Sequence, residues 1–131
     1  MANVPKTVVV VEDELDTAEM FAEMVRLMGF QVIKSYGGVR AIDVISEQKP
    51  AVVVLDIMMP DLSGIEVLRY MHRDPRLSHI PVIIVSAKGL PSDIKGALEA
   101  GASIYLTKPV AFMDLRQAIE KAVKSAGQKK R

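Results

Sequence analysis

The sequence predicts an α/β domain in which a five-stranded parallel sheet carries helices on both faces. Three observations predict it. Short β-branched apolar runs recur along the chain, the clearest being TVVVV at 7–11, VVVL at 52–55 and IPVIIV at 80–85. Each is too short for a helix and too evenly apolar for a strand with one wet face, so each reads as a strand buried on both sides. Stretches of helical periodicity separate them, and parallel neighbours need such crossover connections.

The elements follow in order. Residues 7–11 are the first strand, and Glu12, Asp13 and Glu14 come immediately after it. From 15 to 28 the apolar residues fall at Leu15, Ala18, Phe21, Ala22, Val25 and Met28, one face of a helix whose first turn is acidic and whose end is marked by Gly29. Residues 30–35 form a second strand, only partly apolar, which places it near an edge. Gly37-Gly38 is a turn, and 39–48 is a helix with Ala41, Ile42 and Ile45 inward.

The third strand, 51–56, ends abruptly at Asp56, and Pro60, Asp61, Ser63 and Gly64 then mark a turn. A helix over 65–71 presents Ile65, Leu68 and Met71, and Asp74-Pro75 breaks it. Residues 80–85 are the fourth strand, leading to Ser86-Ala87. Residues 91–100 form a helix weakened at Gly96 and closed by Gly101. A short fifth strand, 104–106, ends at Thr107-Lys108-Pro109. The last helix, 112–124, turns Leu115, Ala118, Ile119, Ala122 and Val123 inward and frays into the tail.

Composition bounds what such a chain can do. Its 131 residues suffice for one domain with a real core and are too few for two. The expected layout is an N-terminal extension at 1–5, one domain at 6–125 and a basic tail at 126–131. Net charge is +1, but the last four residues hold three of the 17 basic groups and leave 14 against 16 acids in the body. That is no basic face, so direct nucleic-acid binding is not expected. No cysteine is present, which excludes disulfides and thiolate chemistry. No apolar run approaches the ~18–20 residues of a membrane span, and the start lacks the features of a signal peptide. A soluble cytoplasmic protein is expected.

In a parallel sheet all C-terminal strand ends lie on one side, where open α/β sheets bind ligands. There strand one delivers Glu12 and Asp13, strand three Asp56, strand four Ser86 and strand five Lys108. One such residue is an ordinary cap. Four strand ends bearing polar groups directly after apolar runs are not. Three carboxylates in one small site repel one another unless a cation joins them, and oxygen ligands at this charge density suit Mg²⁺. Lys108 offers a point charge to an incoming anion and Ser86 a hydroxyl donor. Metal, lysine and hydroxyl around a carboxylate form a site for phosphoryl transfer to Asp56.

At this point the chain resembles the response-regulator receiver domains of two-component signalling. The resemblance is carried by VVVVEDE at 8–14, VVLDIMMPDLSG at 53–64, IPVIIVSA at 80–87 and GASIYLTKP at 101–109, and it spans residues 6–125. It implies a doubly wound, flavodoxin-like sheet of order 2-1-3-4-5. It implies that Asp56 is the phosphoacceptor, that Asp13 ligates Mg²⁺ directly and Glu12 through water, and that the Met58 backbone carbonyl is a further ligand. Ser86 becomes the hydroxyl that bonds the phosphoryl group and Lys108 its counter-charge. Pro109 matches a peptide that is often cis, and Tyr105 a switch aromatic. The donor would be a phosphohistidine on a sensor histidine kinase or a histidine phosphotransfer protein. An unknown downstream protein would read the face of helix four, strand five and helix five, reached through loop 87–91. The protein would be a monomer or a phosphorylation-dependent dimer. The domain would act catalytically only on itself, in phosphotransfer and hydrolysis.

Departures from the family pattern are small. The acidic pair is Glu-Asp, Ser86 stands where threonine is frequent, and Ser103-Ile104 replaces a frequent acidic pair. Met58 and Met59 flank the acceptor, where apolar side chains restrict water and so tune phosphate lifetime. His72 and His79 read as surface residues.

Rival readings remain. The chain could be the receiver part of a DNA-binding regulator, or an interaction module that works without phosphorylation. An aspartyl-phosphate phosphatase is disfavoured because Met58 stands where those enzymes carry a second aspartate. A nucleotide binder is disfavoured because no glycine-rich phosphate loop is present.

Overall fold

A computed structural model describes residues 5–129. Residues 1–4 and 130–131, and with them most of the expected N-terminal extension and the end of the basic tail, lie outside the described residues.

The elements alternate without exception: β1 (Thr7–Val11), α1 (Leu15–Leu27), β2 (Gln31–Ser35), α2 (Gly38–Gln48), β3 (Val52–Asp56), α3 (Gly64–Arg73), β4 (Val82–Ser86), α4 (Pro91–Glu99), β5 (Ile104–Thr107) and α5 (Phe112–Lys129). The five strands form one parallel sheet of order β2-β1-β3-β4-β5. β2 is an edge strand, and three of its five residues are only half-buried, as its mixed sequence predicts.

Successive residues of a strand point to opposite faces, so a fully apolar strand feeds two cores. Val9, Val11, Val53, Leu55 and Ile84 pack on one face against Ala41 and Ile45 of α2, Val67, Leu68 and Met71 of α3 and Ala97 of α4. Val8, Val10, Val54, Ile83 and Val85 pack on the other against Phe21 and Val25 of α1 and Leu115 and Ile119 of α5. The layers are therefore α1 and α5 on one side and α2, α3 and α4 on the other.

Three sequence expectations shift. Leu15 is 63% exposed, not part of the α1 core face. The buried residues of α1 begin at Ala18, because periodicity marks the face a helix presents and not where along it the cover begins. β4 begins at Val82, two residues late, and reaches Ser86. Pro81 has no N–H for the ladder and contributes only its carbonyl, which accepts from Val53 N at 3.0 Å. α5 runs on through Gly127 to Lys129, since no proline follows Lys124 to break it.

Candidate functional site

The site forms at the carboxyl edge of the sheet, where β1 and β3 lie side by side but their following helices cover opposite faces. Such a switch point leaves a crevice. Val11 pairs with Leu55, so the next residues, Glu12 and Asp56, leave the sheet as neighbours. Asp56 pairs with Val85 on β4, which sets Ser86 one step further along. Ser86 pairs with Thr107, and its carbonyl accepts from Lys108 N at 2.8 Å. Parallel register alone thus delivers Glu12, Asp13, Asp56, Ser86 and Lys108 to one edge.

Within the crevice, Glu12, Asp13 and Asp56 each offer a carboxylate oxygen, and the three oxygens lie within 4.8 Å of one another. Glu12 is 2% exposed and Asp56 4%, whereas Asp13 faces solvent. Lys108 Nζ donates to Glu12 Oε1 at 2.8 Å and lies 3.6 Å from Asp56 Oδ2. Its ammonium also sits 6.0 Å from the centre of the Phe21 ring.

One ammonium against three carboxylates leaves the crevice negative. Burial pushes the Glu12 carboxyl up; its bond to Lys108 opposes this, and the charge of Asp56 adds to the rise. Burial alone would lower the Lys108 ammonium, but the bond to Glu12 and the charges of Asp56 and Glu12 outweigh it and hold it above its ordinary value. The donors are all oxygens, which suits a hard divalent cation that keeps part of its water shell. The residues present therefore fit Mg²⁺.

Met58 N donates to Asp56 Oδ1 at 3.3 Å and so orients the carboxylate. Met58 itself is 53% exposed at the mouth, while Met59 is buried below. Ser86 is fully buried, and its Oγ accepts from Lys88 N at 3.2 Å. Tyr105 makes no bond to the carboxylates; its Oη donates to the Lys88 carbonyl at 2.5 Å. The Lys108–Pro109 peptide is cis. His72 and His79 are both exposed.

Two residues of consequence escape the sequence reading. Lys88 joins Ser86 and Tyr105 through its own N–H and carbonyl, a role that depends on backbone and leaves no side-chain signature. Asp61, legible only as a turn residue, bonds to the start of α2. The one hint was that α2 follows Gly37-Gly38 with no capping side chain of its own.

This fold and this edge define a class, and the comparison with known families agrees: residues 8–120 match the response regulator receiver domain. The chain belongs to that family, the receivers of two-component signalling. It is 33% identical over 107 residues to the polar-differentiation response regulator DivK of Brucella anthropi, spanning 82% of this chain and 87% of that one. Among solved structures, a response regulator receiver domain from Clostridium thermocellum superposes with a TM-score of 0.87 at 27% identity, covering 94% of this chain and 98% of that one. The receiver domain of a sensor histidine kinase from Pseudomonas aeruginosa, which holds a magnesium ion in its active-site cleft, superposes with a TM-score of 0.85. At 23% identity, over 92% of this chain and 99% of that one, it shows the likeness of fold alone.

Proposed function

We propose that the protein is a phosphoacceptor switch that takes a phosphoryl group from a phosphohistidine onto Asp56. The observation that carries this reading is the buried Asp56 carboxylate, 3.6 Å from Lys108 Nζ and within one oxygen cluster with Glu12 and Asp13.

Asp56 is the nucleophile. One of its oxygens forms a bond to phosphorus as the phosphorus–nitrogen bond of the donor breaks, and the imidazole leaves with the bond's electron pair and takes up a proton. Met58 N orients the attacking carboxylate. Lys108 is already charged and close, so it stabilises the growing negative charge on the phosphoryl oxygens without moving far. Glu12, Asp13, Asp56 and the Met58 carbonyl would hold Mg²⁺, which when bound neutralises part of the charge brought together by nucleophile and phosphoryl group. The magnesium reported for the Pseudomonas aeruginosa receiver supports this assignment.

Phosphorylation replaces one carboxylate charge with roughly −1.5 to −2. Ser86 can donate its hydroxyl proton to a phosphoryl oxygen, a bond that exists only in the phosphorylated state. A difference of this kind between the two states is what shifts a conformational equilibrium. Ser86 and Tyr105 hold opposite ends of Lys88, so a shift at Ser86 reaches loop 87–90, α4 and β5. That face would meet the downstream protein. The donor would be a histidine kinase or a histidine phosphotransfer protein. The chain's catalysis is confined to its own phosphorylation and hydrolysis.

The test is intact mass after incubation with Mg²⁺ and acetyl phosphate. One labile phosphate on the wild type, absent from Asp56→Asn and abolished by chelating Mg²⁺, is the expected result. A phosphate that persists on Asp56→Asn would move the acceptor elsewhere.

A further inference from the structure

We infer that Asp61 is a positioning residue for the acidic site: it caps α2 from the neighbouring loop and thereby holds the loop that carries the Met58 carbonyl. The inference rests on the proposed reading of Glu12, Asp13, Asp56 and the Met58 carbonyl as the holders of Mg²⁺.

A helix N-terminus has four N–H groups without intrahelical partners. At α2 the flanking residue is Gly37, with no side chain to offer, and the first turn contains no acid. The cap comes from 23 residues downstream. Gly38 N donates to Asp61 Oδ1 and Val39 N to Asp61 Oδ2, both at 3.1 Å. Oδ1 also accepts from Leu62 N at 2.8 Å, so both carboxylate oxygens are used. These bonds from Val39 and Gly38 hold the carboxyl below its ordinary range, and the cap is ionised at neutral pH.

The approach of loop to helix leaves no room for side chains. A Cβ on Gly38 would lie 2.4 Å from the Leu62 carbonyl oxygen and 2.9 Å from Leu62 Cβ. A Cβ on Gly37 would lie 2.9 Å from Asp61 Oδ2, and Gly37 also has φ +113°. The paired glycines are what lets Asp61 reach α2.

The other hydrogen bonds of loop 57–63 are local, although Ile57 and Met59 also pack into the core. Gly64 N donates to the Ile57 carbonyl at 2.9 Å, and the Ser63 hydroxyl accepts from Ile65 N at 3.1 Å. Both join the loop to its own flanks. Asp61 is the hydrogen-bonded tie from this loop to α2. Mg²⁺ tolerates little deviation from octahedral geometry. A carbonyl on this loop must therefore be held at a fixed distance from carboxylates on β1, and the Asp61 bridge supplies an outside anchor for it.

The test is an NMR titration of the full chain with Mg²⁺ alone, for the wild type, Asp61→Ala, Asp61→Asn and Glu47→Gly. Asp61→Ala is expected to weaken Mg²⁺ binding about fivefold, the equivalent of losing a cap, with faster amide exchange at Gly38 and Val39. Asparagine keeps one accepting oxygen but sets an NH2 donor against the other N–H, so Asp61→Asn should fall between the wild type and Asp61→Ala. Glu47→Gly loosens α2 at an exposed position in its last turn, outside the core that the loop joins, and should leave the affinity unchanged. Wild-type affinity in Asp61→Ala overturns the inference. So does an equal loss in Glu47→Gly, which would make the effect one of helix stability. A wild type that binds no Mg²⁺, and is unaltered by Asp13→Asn, would instead overturn the metal reading beneath it.

Discussion

Two shoulders flank the acidic crevice, and they are built differently. On one side, loop 57–63 and α3 are jammed against the sheet. A Cβ on Gly64 would lie 2.2 Å from the Asp56 carbonyl oxygen and 2.8 Å from Ile57 Cα, both backbone atoms that cannot yield. Ser63 caps α3, and Val67, Leu68 and Met71 anchor it in the core. On the other side, α4 is the shortest helix, has no side-chain cap, and buries only Ala97. Leu90 and Leu98 are exposed, and a Cβ on Gly96 would meet nothing within 4 Å. Regions with few buried apolar contacts open first. The proposed switch would use this asymmetry, because Asp56 must stay in register with Lys108 while another element moves. The tight shoulder holds Asp56, and on the proposed reading the loose one would answer Ser86 and Tyr105.

The largest test of this contrast is Gly64→Ala. It forces a methyl into backbone and should cost about 3 kcal/mol or more, since overpacking without room for relaxation is among the most damaging single changes. Urea unfolding would measure it, and a loss below about 1 kcal/mol would show that the shoulder yields.

Gly96→Ala should act in the opposite direction. With open space for the methyl, it should stabilise by about 0.5–1 kcal/mol through helix propensity. Hydrogen exchange should slow across α4 more than across α3. If exchange slows equally everywhere, α4 is not a separate weak unit.

The smallest effect concerns pH. Bonds from Val39 and Gly38 lower the Asp61 carboxyl in the folded state. A lowered folded value stabilises above the unfolded carboxylate range and loses that contribution as pH falls through the folded value. The stability advantage of the wild type over Asp61→Asn should therefore be present at pH 7 and shrink below about pH 4. Urea midpoints between pH 7 and 3 would follow it. A gap that is constant with pH would remove charge from the account of the cap.

The strands were the most legible part of the molecule. Runs such as Val8–Val11 and Val52–Leu55 are apolar at every position because both faces are buried, a pattern that needs no tertiary information. The site residues were legible for a related reason. Glu12, Asp56 and Ser86 each follow such a run, and parallel strands must bring their ends together. Leu15 misled because helical periodicity identifies a face but not how far the sheet extends beneath it.

The sequence by itself determined the alternation of elements, the two-faced core and the edge at which the acids gather, because burial, chain direction and crossover length are written into residue types and spacing. Tertiary structure alone decided which groups meet across elements. Lys108 donates to Glu12, 96 residues away. Lys88 is gripped by Ser86 and Tyr105 through backbone atoms, and Asp61 caps a helix that begins 23 residues before it. These contacts depend on angstrom-scale approach between separate segments, and that distance follows from how the layers pack, which no local pattern encodes.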